Sequence, residues 1–176
     1  MRIGCINNLK QIGICYRVWE GDNRDTYPTG ISVTNGGSME MVATGNVVQT
    51  FRAMSNELST TKILICPTDR SRTAAALSFS ELANSNVSYF IGVDVTNDTN
   101  PNQILSGDDN FEVGGVPVNP GLRAFGTHDP VAWTAARHVH AGNIGRADGS
   151  AQQVNDSRLT DLLGTTGFAT NRFAIP

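Results

Sequence analysis

The chain has 176 residues, enough for one domain with a real core. Hydrophobic residues make up 39% and charged residues 16%, both low for a globular protein, and the balance is glycine and small polar residues that favour turns and loops. A net charge of −3, from 13 Lys+Arg against 16 Asp+Glu, excludes a basic nucleic-acid surface and charge-driven disorder, and no apolar run approaches a membrane span.

Residues 3–21 place Ile3, Ile6, Leu9, Ile12, Tyr16 and Trp19 at helical spacing, which predicts an amphipathic helix about 28 Å long. It should stop at Gly21, and Pro28 keeps it from resuming. Residues 29–45 read as loop with one short strand. Val47, Val48, Phe51, Met54 and Leu58 predict a second helix over 46–58. Lys62–Cys66 reads as a short strand ended by Pro67, and Val87–Val95 carries the strongest strand signal in the chain. A further strand is expected at Gln103–Gly107, then an acidic turn, then a long Gly- and Pro-rich loop over 112–132. Trp133–Val139, Asn143–Ala147 and Ala151–Val154 read as three strands, with Asp148-Gly149 as a hairpin turn. Asp156–Leu163 closes the list as a short helix.

Three cysteines, Cys5, Cys15 and Cys66, show no CxxC and no zinc-finger spacing. Cys15, between Ile14 and Tyr16, reads as a small buried hydrophobe. Cys5 and Cys66 are the better disulfide pair if the chain folds outside the cytosol; three reduced, buried thiols are the alternative.

Four blocks then carry a resemblance. They are Cys5-Ile6-Asn7-Asn8-Leu9-Lys10-Gln11-Ile12-Gly13, Cys66-Pro67-Thr68-Asp69, Ser88-Tyr89-Phe90, and His138 followed after nine residues by Asp148-Gly149. In this order they resemble the prepilin-type, pseudopilin-like proteins with an H-X9-DG motif. Those proteins are abundant in planctomycetes and verrucomicrobia and related to type II secretion pseudopilins and type IV pilins. The resemblance implies an α+β, type IV pilin-like fold: a long N-terminal amphipathic helix packed on an antiparallel sheet, loop-rich, in a single domain. Residues 1–24 would be the C-terminal half of the long helix and 25–176 the globular head. It also implies a preceding apolar half-helix that anchors the protein in the inner membrane before it reaches the periplasm or the cell exterior. Met1 then reads as an added start on a soluble chain, since Met1-Arg2-Ile3 offers no N-cap; a frayed native terminus is the other reading.

Few constellations carry chemistry. On a strand, His138 and His140 share a face and could chelate a metal with His128, Asp129 or Asp148 as a third ligand. A regular hairpin would hold Asp148 about 15 Å from His138, so the two are expected to be separate structural devices, with His138 bonded to a loop carbonyl. Related pseudopilins bind calcium in a C-terminal loop, which makes Asp108, Asp109 and Asn110 calcium candidates here. Asp22-Asn23-Arg24-Asp25 is a second oxygen cluster. Neither has the EF-hand pattern, and solvated acidic turns are the bland alternative. Trp19, Trp133, Tyr27 and Phe90 could stack on sugars but fit a core equally. There is no GxSxG and no P-loop.

The expected function is therefore a non-enzymatic subunit of a pilin-like filament or type II secretion-type pseudopilus. Its partners would be other pilin-like subunits joined head to tail, with no cofactor beyond possible calcium. The alternative is a secreted cell-surface calcium- or glycan-binding module.

Overall fold

A computed structural model describes residues 2–72 and 74–176. The expected lack of a cap at Met1 lies outside the described residues. Helix α1 (Arg2–Asp22) has two distinct faces. Cys5, Leu9, Ile12, Tyr16 and Trp19 are buried on one; Ile3, Ile14 and Val18 are exposed on the other. Ile3 therefore does not belong to the buried stripe the spacing suggested. At the C-terminus, Asn23 Nδ2 donates to the Trp19 carbonyl at 2.7 Å, satisfying one of the last helical carbonyls. Arg24 and Asp25 then take positive φ and turn the chain back.

Two single-turn 3-10 helices and α2 (Met39–Val42) fill the stretch expected as loop. The helix expected over 46–58 is broken at Met54, whose ψ of 22° splits it into α3 (Val48–Ala53) and α4 (Ser55–Leu58). Lys62–Cys66 is not a strand. Thr61–Leu64 forms a 3-10 turn, with the Thr60 side chain accepting from the Lys62 amide.

The strands are β1 (Tyr89–Gly92), β2 (Ile104–Asp108), β3 (Phe111–Val113), β4 (Val116–Pro117), β5 (Gly121–Gly126), β6 (Val131–Trp133), β7 (Ala141–Arg146), β8 (Ala151–Asn155) and β9 (Thr170–Ile175). Helix α5 (Asp156–Thr165) lies between the last two, capped by Asn155, whose side chain accepts from the Arg158 amide at 3.0 Å. One sheet has six strands in the order β5-β9-β1-β2-β7-β8; the other has three, β4-β3-β6. Every pairing is antiparallel, with Ile91 opposite Ala174 and Asn143 opposite Gln153.

The type IV pilin-like fold expected from the motifs is corrected by this arrangement. The chain is α+β, but it is mostly antiparallel sheet, divided in two, and a helix of 21 residues does not organise it. The physical reason lies in β1, which is buried on both faces. Successive side chains alternate sides. Tyr89 and Ile91 join a core with Leu9, Ile12, Tyr16, Phe51 and Leu64. Phe90, between them, joins a second core with Phe111, Phe125, Trp133, Phe173 and three leucines of α5. Five of those aromatic rings pack with centroids 4.4–5.9 Å apart. The large sheet is thus the middle layer, and the small sheet with α5 covers the side that a two-layer fold would leave to solvent.

Candidate functional site

Three of the resemblance blocks, the acidic turn and the approach to β7 meet at one end of the large sheet. Cys66 ends the segment after the 3-10 turn, and Pro67 and Thr68 lead to Asp69. Its side chain is almost fully buried. Its Oδ1 accepts from the Ser71 amide (3.0 Å) and hydroxyl (2.6 Å). Its Oδ2 accepts from Ser88 Oγ (2.8 Å), Arg72 (3.1 Å) and Arg137 (3.3 Å). Burial alone would raise the Asp69 carboxyl. The Ser71 hydroxyl, the Arg137 guanidinium and the Ser88 hydroxyl overcome it and hold the group at about 2.

Asp109 completes the ring. It pairs with Arg72 at 2.8 Å and, more closely, with Arg137. Two carboxylates and two guanidiniums therefore alternate, and their charges cancel locally. Arg137 also donates to the Ser88 carbonyl at 3.2 Å, and Arg72 to the carbonyl of Pro176 at 3.0 Å. Removing one member would leave an uncompensated buried charge, which is the costly case for such networks. The ring borders an open cleft of about 490 Å³ shared with Phe111, Pro117 and Thr134.

Next to the ring sits His138. The strand expected over Trp133–Val139 ends at Trp133, and a turn follows in which His138, Val139 and His140 all have positive φ (54°, 56°, 52°). L-residues adopt this conformation at a cost of about 1–2 kcal/mol each. It sends the two histidines to different places, so they do not share a face. His140 Nδ1 lies 3.1 Å from the Trp133 carbonyl. The His138 side chain is buried, and its Nε2 meets Cys66 Sγ (3.5 Å), Thr68 Oγ1 (3.4 Å), Asn143 Nδ2 (3.3 Å) and Asp108 Oδ2 (3.4 Å). Asp108 Oδ2 accepts both the Asn143 amide (2.7 Å) and its side-chain NH2 (2.8 Å).

Helix α1 is tied to this end by its own block. Cys5 and Cys66 form a disulfide. Asn8 Nδ2 donates to the Ile65 carbonyl (3.0 Å) and to Tyr89 Oη (3.3 Å). Asp148-Gly149 makes the β7–β8 turn, with Asp148 Oδ1 accepting from the Ser150 amide at 2.9 Å and Gly149 at φ 82°. Gly13 lies directly against that turn: a Cβ there would stand 2.8 Å from the Gly149 carbonyl oxygen. Gly13→Ala should therefore destabilise the chain by about 1–3 kcal/mol, because backbone rather than a movable side chain is in the way. Urea unfolding of the two proteins measures it, and an unchanged midpoint would show that α1 can lift off the turn freely.

The three calcium candidates have different partners, and Asp108 Oδ1 and Asn110 Oδ1 are buried with no hydrogen-bond partner among the described residues. Asp108 turns to Asn143 and His138, Asp109 to Arg72 and Arg137, and Asn110 Nδ2 donates to the Thr134 carbonyl at 3.4 Å. In the other oxygen cluster, Asn23 caps α1 while Asp22 and Asp25 are exposed. His128 is exposed in the β5–β6 turn, where Asp129 accepts from the Gly126 amide, and neither joins His138. Trp19, Tyr27, Phe90 and Trp133 are all buried. Cys15 is buried and free, its thiol pushed up to about 11 by burial and by Glu57.

The ion-pair ring was not foreseen from sequence. The available signal was Asp69, at the end of the Cys66–Asp69 block, and Arg137, next to His138, two charged residues of a charge-poor chain. Among the described residues no helix is long and apolar enough to cross a membrane. No family model, no curated protein and no solved structure matches the chain.

Proposed function

We propose that the chain is a structural subunit, not an enzyme, which assembles with copies of itself or with other pilin-like proteins into an extracytoplasmic filament or a type II secretion-type pseudopilus. The reading keeps the functional implication of the motif resemblance without the pilin fold, which is set aside above. The observation that carries it is the outer face of α1. Ile3, Ile14 and Val18 are 73%, 58% and 54% exposed. At 100° per residue they fall within about 60° of one another around the helix axis. Asn7, Lys10 and Arg17 share that side, and the buried stripe lies opposite. A helix that carries exposed apolar side chains on the face opposite its buried stripe has a second surface to offer, and a head-to-tail contact there would propagate.

The disulfide supports an oxidising compartment. In this reading an apolar segment holds the full-length subunit in the inner membrane until assembly. The alternative is a calcium- or glycan-binding module; Asp109 is ion-paired and the four aromatic rings are buried, while Asp108 Oδ1 and Asn110 Oδ1 are buried with no hydrogen-bond partner among the described residues.

Ile14→Asp combined with Val18→Asp in the full-length protein, expressed from its own locus, tests the proposal. Both sites are exposed, so the folded chain should stay within about 0.5 kcal/mol of the parent in each substitution. Surface filaments, or secretion through the pseudopilus, should be lost at normal subunit levels. Filaments and secretion unchanged at normal levels would refute an assembly role for this face.

A further inference from the structure

We propose that Cys5, Cys66 and His138, with Asp108 as fourth ligand, form a redox-gated site that binds one soft divalent cation of the zinc class when the disulfide is reduced. The two sulfurs and a histidine ring nitrogen lie within 4.8 Å of one another, and all three residues are buried. Tetrahedral zinc, with bonds of about 2.3 Å to sulfur and 2.0–2.1 Å to nitrogen, sets those two donors about 3.5 Å apart. Cys66 Sγ and His138 Nε2 are 3.5 Å apart. The Asp108 carboxylate reaches within 3.4 Å of the same nitrogen, and its Oδ1, buried, has no hydrogen-bond partner among the described residues. Two sulfurs, an imidazole and a carboxylate make a four-donor set suited to zinc. A disulfide by itself needs no imidazole, yet the chain holds His138 there at a positive φ of 54°.

Oxidation closes the site, because a disulfide sulfur carries no thiolate charge to donate to the cation. Opening it requires a dithiol reductant. One of its thiolates attacks a sulfur of the Cys5–Cys66 bond, its second thiolate displaces the resulting mixed disulfide, and the reductant leaves as its own disulfide. Two electrons have moved, and Cys5 and Cys66 each gain a proton. The cation then binds as both thiols release those protons to solvent, the sulfurs parting to about 3.8 Å. Metal thereby replaces the covalent link between α1 and the segment around Cys66 whenever that link is broken.

The test uses the whole chain, reduced with a dithiol and freed of it without oxygen, then titrated with Co2+ and competed with Zn2+. The expected result is one equivalent of Co2+ giving thiolate charge-transfer absorption and the visible band intensity of a four-coordinate site, displaced by Zn2+. The oxidised chain should show neither. His138→Ala should weaken Zn2+ binding at least tenfold. In the unmodified reduced chain, the 15N resonance of His138 Nε2 should shift strongly on adding Zn2+, which reads the same ligand if the variant fails to fold. If reduction itself unfolds the chain, recovery of its far-UV circular dichroism with one equivalent of Zn2+ supports the site. Absence of the cobalt spectrum, an unshifted His138 nitrogen, or a reduced chain that stays unfolded in excess Zn2+ would each overturn it.

Discussion

Replacing Cys5 and Cys66 together with serine is expected to lower the thermal midpoint by about 8–16 °C. The bridge spans 61 positions. A loop of that length costs the unfolded chain roughly 4 kcal/mol of closure entropy once it is crosslinked. For a domain of this size each kcal/mol moves the midpoint by about 2–4 °C. The consequence should also be local. Cys5 ties the first turns of α1 to the Cys66 segment, while Tyr16 and Trp19 remain buried about three to four turns further on. Hydrogen exchange should therefore rise first at the N-terminal end of α1. A serine pair with an unchanged midpoint would mean that the Asn8 bonds and the Gly13–Gly149 contact hold the helix without help.

The second large effect is expected at Asp69. Asp69→Ala strands Arg137 and Arg72 with only Asp109 between them and deprives Ser88 of its acceptor. Breaking such a buried network costs about 3–5 kcal/mol. The same residue gives the protein an acid limit. Its carboxyl is held at about 2 in the folded chain, below the usual 3.8. The charged form therefore stabilises the fold above pH 4, and that contribution, about 2 kcal/mol, is lost as pH falls from 4 through 2. Denaturant unfolding at steps across that interval should show the parent losing stability and Asp69→Asn losing about 2 kcal/mol less. Parallel curves would place the acid sensitivity elsewhere.

What could be read in the sequence follows from how local each signal is. Helix α1 is written in a 3.6-residue period, and its stop is written in Gly21 and the residues after it, so its limits were readable. Cys5 and Cys66 stood out as the better pair because Cys15 lies between apolar neighbours in mid-helix, while three reduced thiols stayed open as the alternative; the bridge is formed. The region 112–132 misled because β4 has two residues and β5 begins at a glycine: the strands are made by pairing with β3 and β9, which composition does not display. Residues 134–139 misled in the other direction. Thr134, Val139 and Trp133 favour strand, but anchoring Arg137 in the ion pairs and His138 at the disulfide forces a left-handed turn. At the site, the guanidiniums that pair with Asp109 come from positions 72 and 137, far away in the chain, so the acidic turn alone did not display them. The four blocks are thus mostly taken up in a buried clamp, and in the proposed reading the outer side of α1 is the surface that meets partners.

A photo-crosslinking amino acid at position 14 of the full-length protein in its host, compared with the same group at position 77, tests that account most directly. Leu77 is also exposed but is not part of α1. The account predicts crosslinks from position 14 to the same chain or to another pilin-like subunit, and few from position 77. Equal capture from both positions, or none from position 14 while filaments are present, would contradict it.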